Sequence, residues 1–313
     1  MASPILVFGH KNPDNDAISA AIGYAYLKNE LARKHGEDVT YEACRLGTLP
    51  PEAEWILNEQ GIEAPRLIEH VGEGDKLILV DHNEAQQSVD GLPDAEIVEI
   101  VDHHRIGGLV TANPIRFNNM PIGSSAAVVA REFEIQGVEL PKSIATILLG
   151  AMLTDTVIMK SPTTTDFDRT LIPRIAEYVG VDPVEFGMTI FKCRSNPAEI
   201  PVEQIIGADA KEFLLDDGST VFIAQFETVD LQAVMNREEE IREAMRKVVA
   251  DKSYKFMLLL ATDILAEGSN FICEGDTELV NRVFDIDVDG KAVWMPGVLS
   301  RKKQVAAPIL AAK

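Results

Sequence analysis

The 313-residue chain is poor in cysteine, in aromatic side chains and in positive charge. Its three cysteines, Cys44, Cys193 and Cys273, lie far apart and form no CxxC pair. Neither a disulfide framework nor a thiolate zinc site is therefore expected, only ordinary thiols of a reducing compartment. Aromatic residues make up 6% of the chain, too few for the stacking platforms on which single-stranded bases are held. Basic residues number 29 against 50 acidic ones, a formal net charge of −21. Neutralising the phosphates of a nucleic acid needs a basic surface, and so does adhesion to an anionic membrane, so neither is an expected partner. No apolar run approaches the roughly 20 residues of a membrane span. The opening Met-Ala-Ser-Pro lacks the basic and long apolar regions of a signal peptide, which makes the cytoplasm the expected location. Walker A, G-x-G-x-x-G, G-x-S-x-G and H-E-x-x-H motifs are missing as well.

Apolar material is plentiful, at 46% of residues, enough for a sizeable core without staples. At roughly 150 residues per domain the length suggests two domains. Ile5-Leu6-Val7-Phe8, ended by Gly9, reads as a buried strand, and so do Leu77 to Val80 and Ile97 to Val101. Helical spacing follows the first of these, at Ile18, Ala21, Ile22 and Ala25. The alternation predicts an α/β fold whose N-terminal sheet is mostly parallel and flanked by helices. A strongly apolar helix spans Ser143 to Asp155. Turn and breaker signals begin near Phe191, at Arg194-Ser195-Asn196-Pro197 and Ile200-Pro201. The expected division is a domain over 1–190, a linker or hinge over 191–201, and a smaller C-terminal α/β domain over 202–313. In the latter, a helix from Asn236 to Val249 carries an apolar stripe, Ile241, Met245 and Val248. Its charge run, with Glu238→Arg242 and Glu243→Lys247 pairs, reads as a solvated face.

Chemistry concentrates in four clusters. His10-Lys11-Asn12-Pro13-Asp14-Asn15-Asp16 follows the first strand. Asp81-His82-Asn83-Glu84 and Asp102-His103-His104-Arg105 follow the other two, and Thr154-Asp155 ends the apolar helix. Sites in open parallel sheets form outside the carboxyl ends of the strands, so clusters distant in sequence can converge there. What converges is oxygen and imidazole without thiolate. His10, Asp14, Asp16, Asp81, His103 and Asp155 form a donor set that suits Mg²⁺, Mn²⁺ or Co²⁺. Bridging carboxylates would let it hold two ions, the layout of two-metal phosphoryl transfer. Singly, each residue has a plainer reading. Asp14 and Asp16 suit a helix N-terminus, and Asp155 suits a helix-end carboxylate paired with a cation. Asp102 beside His103 is expected to orient that ligand. Ser161 to Thr165 reads as the cap of a helix begun by Asp166.

Together these stretches resemble the DHH phosphoesterase superfamily, and within it the family II, manganese-dependent inorganic pyrophosphatases. Lys160-Ser161-Pro162-Thr163 and Ser300-Arg301-Lys302-Lys303-Gln304 extend the resemblance along essentially the whole chain. It implies hydrolysis of inorganic pyrophosphate to two phosphates by two metal ions, with a metal-activated water or hydroxide as nucleophile. By the resemblance, His10 and Asp14 hold one manganese, Asp16 and His103 the other, and Asp81 and Asp155 are shared. His104 contacts substrate and is the candidate proton donor. Lys211, Arg301 and Lys302 bind substrate. The resemblance also implies two Mn²⁺ per subunit, Co²⁺ as a substitute, Mg²⁺ with the substrate, and a homodimer.

The basic run Arg301-Lys302-Lys303 is the densest in the chain. A planar Arg fork suits phosphate oxygens, although such triplets are more often solubilising surface. Lying in the second domain, it could close over metals held by the first. The active site is accordingly expected in the cleft between the domains, with the linker near Asn196-Pro197 as hinge. Rival readings are a short-chain exopolyphosphatase, another DHH-type phosphoesterase acting on nucleotides, and a cation store without catalysis. The nucleotide branches carry a Gly-Gly-Gly-His type motif, and here the only Gly-Gly is Gly107-Gly108. The second and third clusters are separated by about twenty residues, ordinary for a βα connection. A regulatory nucleotide-binding insert at that point is therefore not expected.

Overall fold

Six strands of the first unit lie parallel in the order β3-β2-β1-β4-β5-β6. They are β1 (Ile5–Lys11), β2 (Tyr41–Leu46), β3 (Arg66–Leu67), β4 (Lys76–Val80), β5 (Glu96–Asp102) and β6 (Arg116–Asn119). The helices are α1 (Asn15–His35), α2 (Pro51–Glu59), α3 (Ser125–Gln136), α4 (Lys142–Asp155), α5 (Asp166–Val179) and α6 (Pro183–Arg194). The computed structural model describes residues 3–194 and 197–312, and the chain divides into two compact units after Arg194. Helix α6 includes Phe191 to Arg194, the start of the expected linker, while its Ser195 and Asn196 lie outside the described residues.

This strand order has one reversal. The chain runs outward through β1, β2 and β3, then returns to place β4 on the other side of β1. The crevice at the carboxyl ends of β1 and β4 is therefore the topological switch point, where such sheets hold ligands. The continuous apolar strands are buried as their composition requires. Leu6, Phe8, Leu77, Leu79 and Ile100 share a cluster with Ile68, Val71, Val89 and Leu92 from the connections. Each fully buried side chain of this size is worth about 1.5–3 kcal/mol relative to exposure.

Gly9 does not end the first strand. Strand β1 continues to Lys11, with a break in its register to β2 between Phe8 and Lys11. A Cβ at Gly9 would lie 2.4 Å from the Cβ of Ala17, so this glycine marks the close approach of α1. Helix α1 starts where Asp14 caps it, the Ala17 amide donating to Asp14 Oδ1 at 2.9 Å. It is buried almost all round, from Ala17 through Leu27, which explains its nearly unbroken apolar sequence. Thr165 caps α5 in a reciprocal box with Asp168. That is the role expected of the hydroxyl run before Asp166.

The second unit comprises α7 (Val202–Ile206), β7 (Lys211–Leu214), β8 (Thr220–Thr228), α8 (Leu231–Met235), α9 (Glu238–Lys252), β9 (Phe256–Asp263), β10 (Gly268–Gly275), α10 (Glu278–Phe284), β11 (Val293–Pro296) and α11 (Ala307–Ala311). Its five-stranded sheet, β11-β10-β9-β8-β7, is mixed, with β8 and β9 parallel. Both faces are buried by alternation along β9. Phe256, Leu258 and Leu260 pack with Val280, Val305 and Ile309; Met257, Leu259 and Ala261 pack with Ile206, Ile241 and Met245. The charge run of α9 is not wholly solvated. Arg242 is buried and donates to Glu238 (2.9 Å), Glu274 (2.9 Å) and the Cys273 carbonyl (3.2 Å). Among the described residues no helix is long and apolar enough to cross a membrane.

Candidate metal centre

His10, Asp14, Asp16, Asp81, His103 and Asp155 come together at the switch point as overlapping groups of donors. Donor atoms lie within 4.8 Å of one another in His10/Asp14/Asp81, in Asp16/His103/Asp155 and in Asp81/His103/His104. His10 sits near the end of β1, Asp81 immediately after β4, and His103 and His104 immediately after β5. Asp155 is the last residue of α4. Asp81 belongs to two groups, and it has a left-handed backbone, φ 58°. Such a conformation costs energy for a non-glycine residue and is found where function requires it.

Two atoms identify what the nest lacks. Asp81 Oδ2 and His103 Nε2 are buried and have no hydrogen-bond partner. His103 Nε2 stands 3.4 Å from Asp81 Oδ1 and 3.7 Å from Asp155 Oδ2. His10 Nε2 stands 3.5 Å from Asp81 Oδ2 and 3.6 Å from Asp14 Oδ1. These separations are long for hydrogen bonds, yet one cation could touch both members of each pair. A buried carboxylate otherwise costs several kcal/mol. The donor set thus fits divalent cations.

The remaining lone pairs are occupied so as to aim the donors. The amides of Ser125 and Ala126, at the start of α3, donate to the two oxygens of Asp16 at 2.6 and 2.8 Å. The Ser125 hydroxyl donates to Asp81 Oδ1 at 3.0 Å. His103 Nδ1 pairs with the Ile122 carbonyl at 2.9 Å, leaving Nε2 toward the carboxylates. The carbonyl does the work expected of Asp102. That carboxylate turns instead to His104, 3.0 Å from its Nδ1, and accepts from the amides of His103 (2.7 Å) and His104 (3.1 Å). Asn83 donates to Asp102 from the other side. His82, buried, pairs with the Val80 carbonyl and stays out of the nest.

Titration follows from this packing. Burial pushes the Asp16 and Asp155 carboxyls upward, and their acidic neighbours push further. Burial also works against a charged imidazole. At His10 the bonds and charge of Asp14 and Asp81 outweigh it, raising the group to about 11. At His103, Asp81 and Asp16 raise it to about 9. Burial opposes ionisation of Asp81, but His10 and His103 hold it well below the usual carboxylate range. Asp102 is likewise held low against burial, by the bonds from His104 and Asn83.

His104 is half exposed and lines a pocket of about 180 Å³ with His10, Asp81, Asn83 and Arg105. The basic candidates belong to the second unit. Lys211 is exposed at the start of β7, its Nζ 5.7 Å from the Phe213 ring centroid. Arg301 and Lys302 begin a π-helical turn over Arg301–Ala306. Arg301 meets Asp209 through Nη2 (2.9 Å) and Nε (3.3 Å). The sequence alone assigns no role to Ser125, to Asp209 or, within the second cluster, to Asn83. The Ser124-Ser125 pair before an apolar run signals a helix N-terminus, but nothing local shows that this terminus faces Asp16.

Comparison with known proteins places these features in a family. Residues 4–152 match the DHH family N-terminal domain, and residues 188–312 match the DHHA2 domain. A protein of Archaeoglobus fulgidus named a probable manganese-dependent inorganic pyrophosphatase is 40% identical, over 99% of this chain and 98% of its own. One of Clostridium acetobutylicum with the same name is 37% identical over 100% and 99%. A crystal structure of a putative family II inorganic pyrophosphatase of Methanococcus jannaschii is 37% identical. It covers 97% of each chain with a TM-score of 0.59.

Proposed function

The chain belongs to the family of manganese-dependent inorganic pyrophosphatases, and we propose that it hydrolyses inorganic pyrophosphate to two phosphates at the carboxylate–imidazole nest. The observation that carries this reading is the pair of orphaned buried donors, Asp81 Oδ2 and His103 Nε2, in a nest of six such side chains. His10 and Asp14 would hold one ion, Asp16 and His103 the other, and Asp81 and Asp155 would contribute to both. Manganese, when bound, supplies Lewis acidity toward an attacking water and offsets the charge of the phosphate oxygens.

The chain's own residues do the rest. The start of α3 holds Asp16 and Asp81 in place. Asp102, itself held by Asn83, fixes the His104 ring through Nδ1. His104 then carries a proton at Nε2 for the leaving phosphate. Lys211, Arg301 and Lys302 bind the phosphate oxygens, Arg301 as a planar fork. This assignment answers the chain's net charge of −21, which disfavours an anionic substrate away from metals and aimed cations.

Co²⁺ as a substitute metal, Mg²⁺ on the substrate, the hinge role of 191–201 and a cytoplasmic location belong to the same proposal. So does a homodimer. The edge position of β6 and the exposed Ile106, Val110 and Phe117 support an interface there. The deciding experiment measures phosphate release by metal-free protein, with and without Mn²⁺. Pyrophosphate, tripolyphosphate and a short oligonucleotide are the substrates. Mn²⁺-dependent release from pyrophosphate above the other two is expected. Preference for tripolyphosphate would favour an exopolyphosphatase, and preference for the oligonucleotide would sink the reading.

A further inference from the structure

Basic triplets at a surface are usually loose, but Arg301 is held at both ends. Its side chain is only 12% exposed. Beneath it lies Gln225 of β8, a buried amide that the reaction scheme above does not use. Gln225 Oε1 accepts from the Arg301 amide at 2.9 Å. Gln225 Nε2 donates to the Leu299 carbonyl at 3.1 Å and to Thr262 Oγ1 at 3.0 Å. The Gln225 backbone amide donates to the Ala208 carbonyl at 3.0 Å, next to Asp209. One residue of the sheet therefore ties down both the segment that carries Arg301 and the segment that carries its carboxylate partner.

Other bonds complete the mount. Thr262 pairs with Ser269 at 2.8 Å, and Ser269 donates to the Val298 carbonyl at 2.7 Å. Gln304 Oε1 accepts from the amides of Leu299 and Ser300, both at 2.9 Å. Asp209, with a left-handed φ of 34°, takes Nε and Nη2 of the Arg301 fork. The fork's plane is thereby set, and the N–H groups of Nη1 and the second N–H of Nη2 remain for a ligand.

We propose that Gln225 and Asp209 are positioning residues for pyrophosphate binding: Gln225 fixes the Arg301 backbone, and Asp209 fixes its guanidinium before the substrate arrives. This rests on the assignment of Arg301 to the substrate made above. The physical gain is preorganisation. A free arginine gives up its rotamer freedom on binding, whereas a held one has already done so. Loss of either residue therefore weakens substrate binding more than it slows turnover.

The test is a double-mutant cycle in the full chain with Mn²⁺, reading KM and kcat for pyrophosphate. Asp209→Ala and the near-isosteric Gln225→Met are each expected to raise KM by up to about tenfold, with a smaller change in kcat. Asp209→Asn, which keeps one acceptor oxygen, should fall between the parent and Asp209→Ala. In an Arg301→Ala background neither substitution should raise KM further. An equal rise in that background would mean a general structural role and would overturn the proposal, as would an unchanged KM in the single variants. Should Gln225→Met fail to fold by circular dichroism, the exposed Asp209 variants decide the matter alone. If Arg301→Ala itself leaves KM unchanged, the assignment of Arg301 and the positioning role fall together. If the parent releases no phosphate from pyrophosphate, the proposed function fails first.

Discussion

The two units hold charge in opposite ways. The nest of the first unit draws its donors from three strand ends, a helix start and a helix end, separated by up to 145 positions between His10 and Asp155. The basic segment of the second unit is contiguous, Arg301-Lys302-Lys303, and side chains are aimed at its backbone. In the nest the charged groups are themselves largely buried, and strand order places them. Along the basic segment Lys302 and Lys303 stay exposed, while Arg301 is largely covered and its Gln225 mount is buried. Metal sites need several donors at fixed separations, so long-range topology must set them. The basic run is contiguous in sequence, yet the groups that hold Arg301, Gln225 and Asp209, lie 76 and 92 residues away, so the fold sets this mounting as well.

Breaking the nest at its centre should have the largest effect. Asp81→Asn removes charge from a residue common to two donor groups. Activity is expected to fall by at least about 10³-fold, beyond the ~10²–10³ carried by one well-placed donor. Mn²⁺ titration of the same variant should show high-affinity binding lost. Retained tight binding would refute the shared role of Asp81.

On the other side of the comparison, Arg301→Ala should raise KM for pyrophosphate by about 10–100-fold, the range of a charge-assisted hydrogen bond. Mn²⁺ affinity should not move. A loss of metal in this variant would erase the distinction between the two units. Ser125→Ala probes the nest more gently, removing the hydroxyl bond to Asp81 while leaving the amide bonds to Asp16. About a tenfold loss of metal affinity is expected, with the fold unchanged by circular dichroism.

The smallest effect is thermal. His10 and His103 are raised from 6.5 to about 11 and about 9 in the folded chain. Their protonation therefore stabilises the metal-free fold fully below about pH 6.5, and this contribution is lost as the pH rises through those values. Asp16 and Asp155, also raised, add stability in the same direction. Asp81 runs opposite, but its contribution is lost only in acid. Metal-free protein should thus melt a few degrees lower at pH 10 than at pH 7 by calorimetry. Manganese-loaded protein should shift less, because cations replace the protons. A metal-free midpoint that rises across this range would contradict the titration picture.

Much of this was legible in one dimension. The apolar run Leu77 to Val80, and Ile97 to Val101 interrupted only by Glu99, became β4 and β5 because buried parallel strands need mostly apolar residues on both faces; Glu99 is buried as well, with Tyr24 donating to it and Lys28 and Arg116 pairing with it. The donors at their ends follow from the same alternation, since a strand's carboxyl end opens onto the switch-point crevice. Gly9 was misread as a strand end because a glycine in sequence does not say whether it permits a turn or a close approach. Asp102 was assigned to His103 by adjacency, but neighbours along an extended chain point apart, and its carboxylate meets His104.

By itself, then, the sequence determined the kinds of atoms present: carboxylate and imidazole without thiolate, one dense basic run, and strands too apolar to face water. Periodicity and composition carry that information locally. Only the tertiary structure decided which of these atoms meet. That the α3 amides hold Asp16, that the Ile122 carbonyl rather than Asp102 aims His103, and that Gln225 lies beneath Arg301 depends on contacts between residues 76 or more apart for the first and third, and 19 apart for the second. No spacing rule reaches across a sheet, because such contacts are set by strand order and packing rather than by the chain's local period.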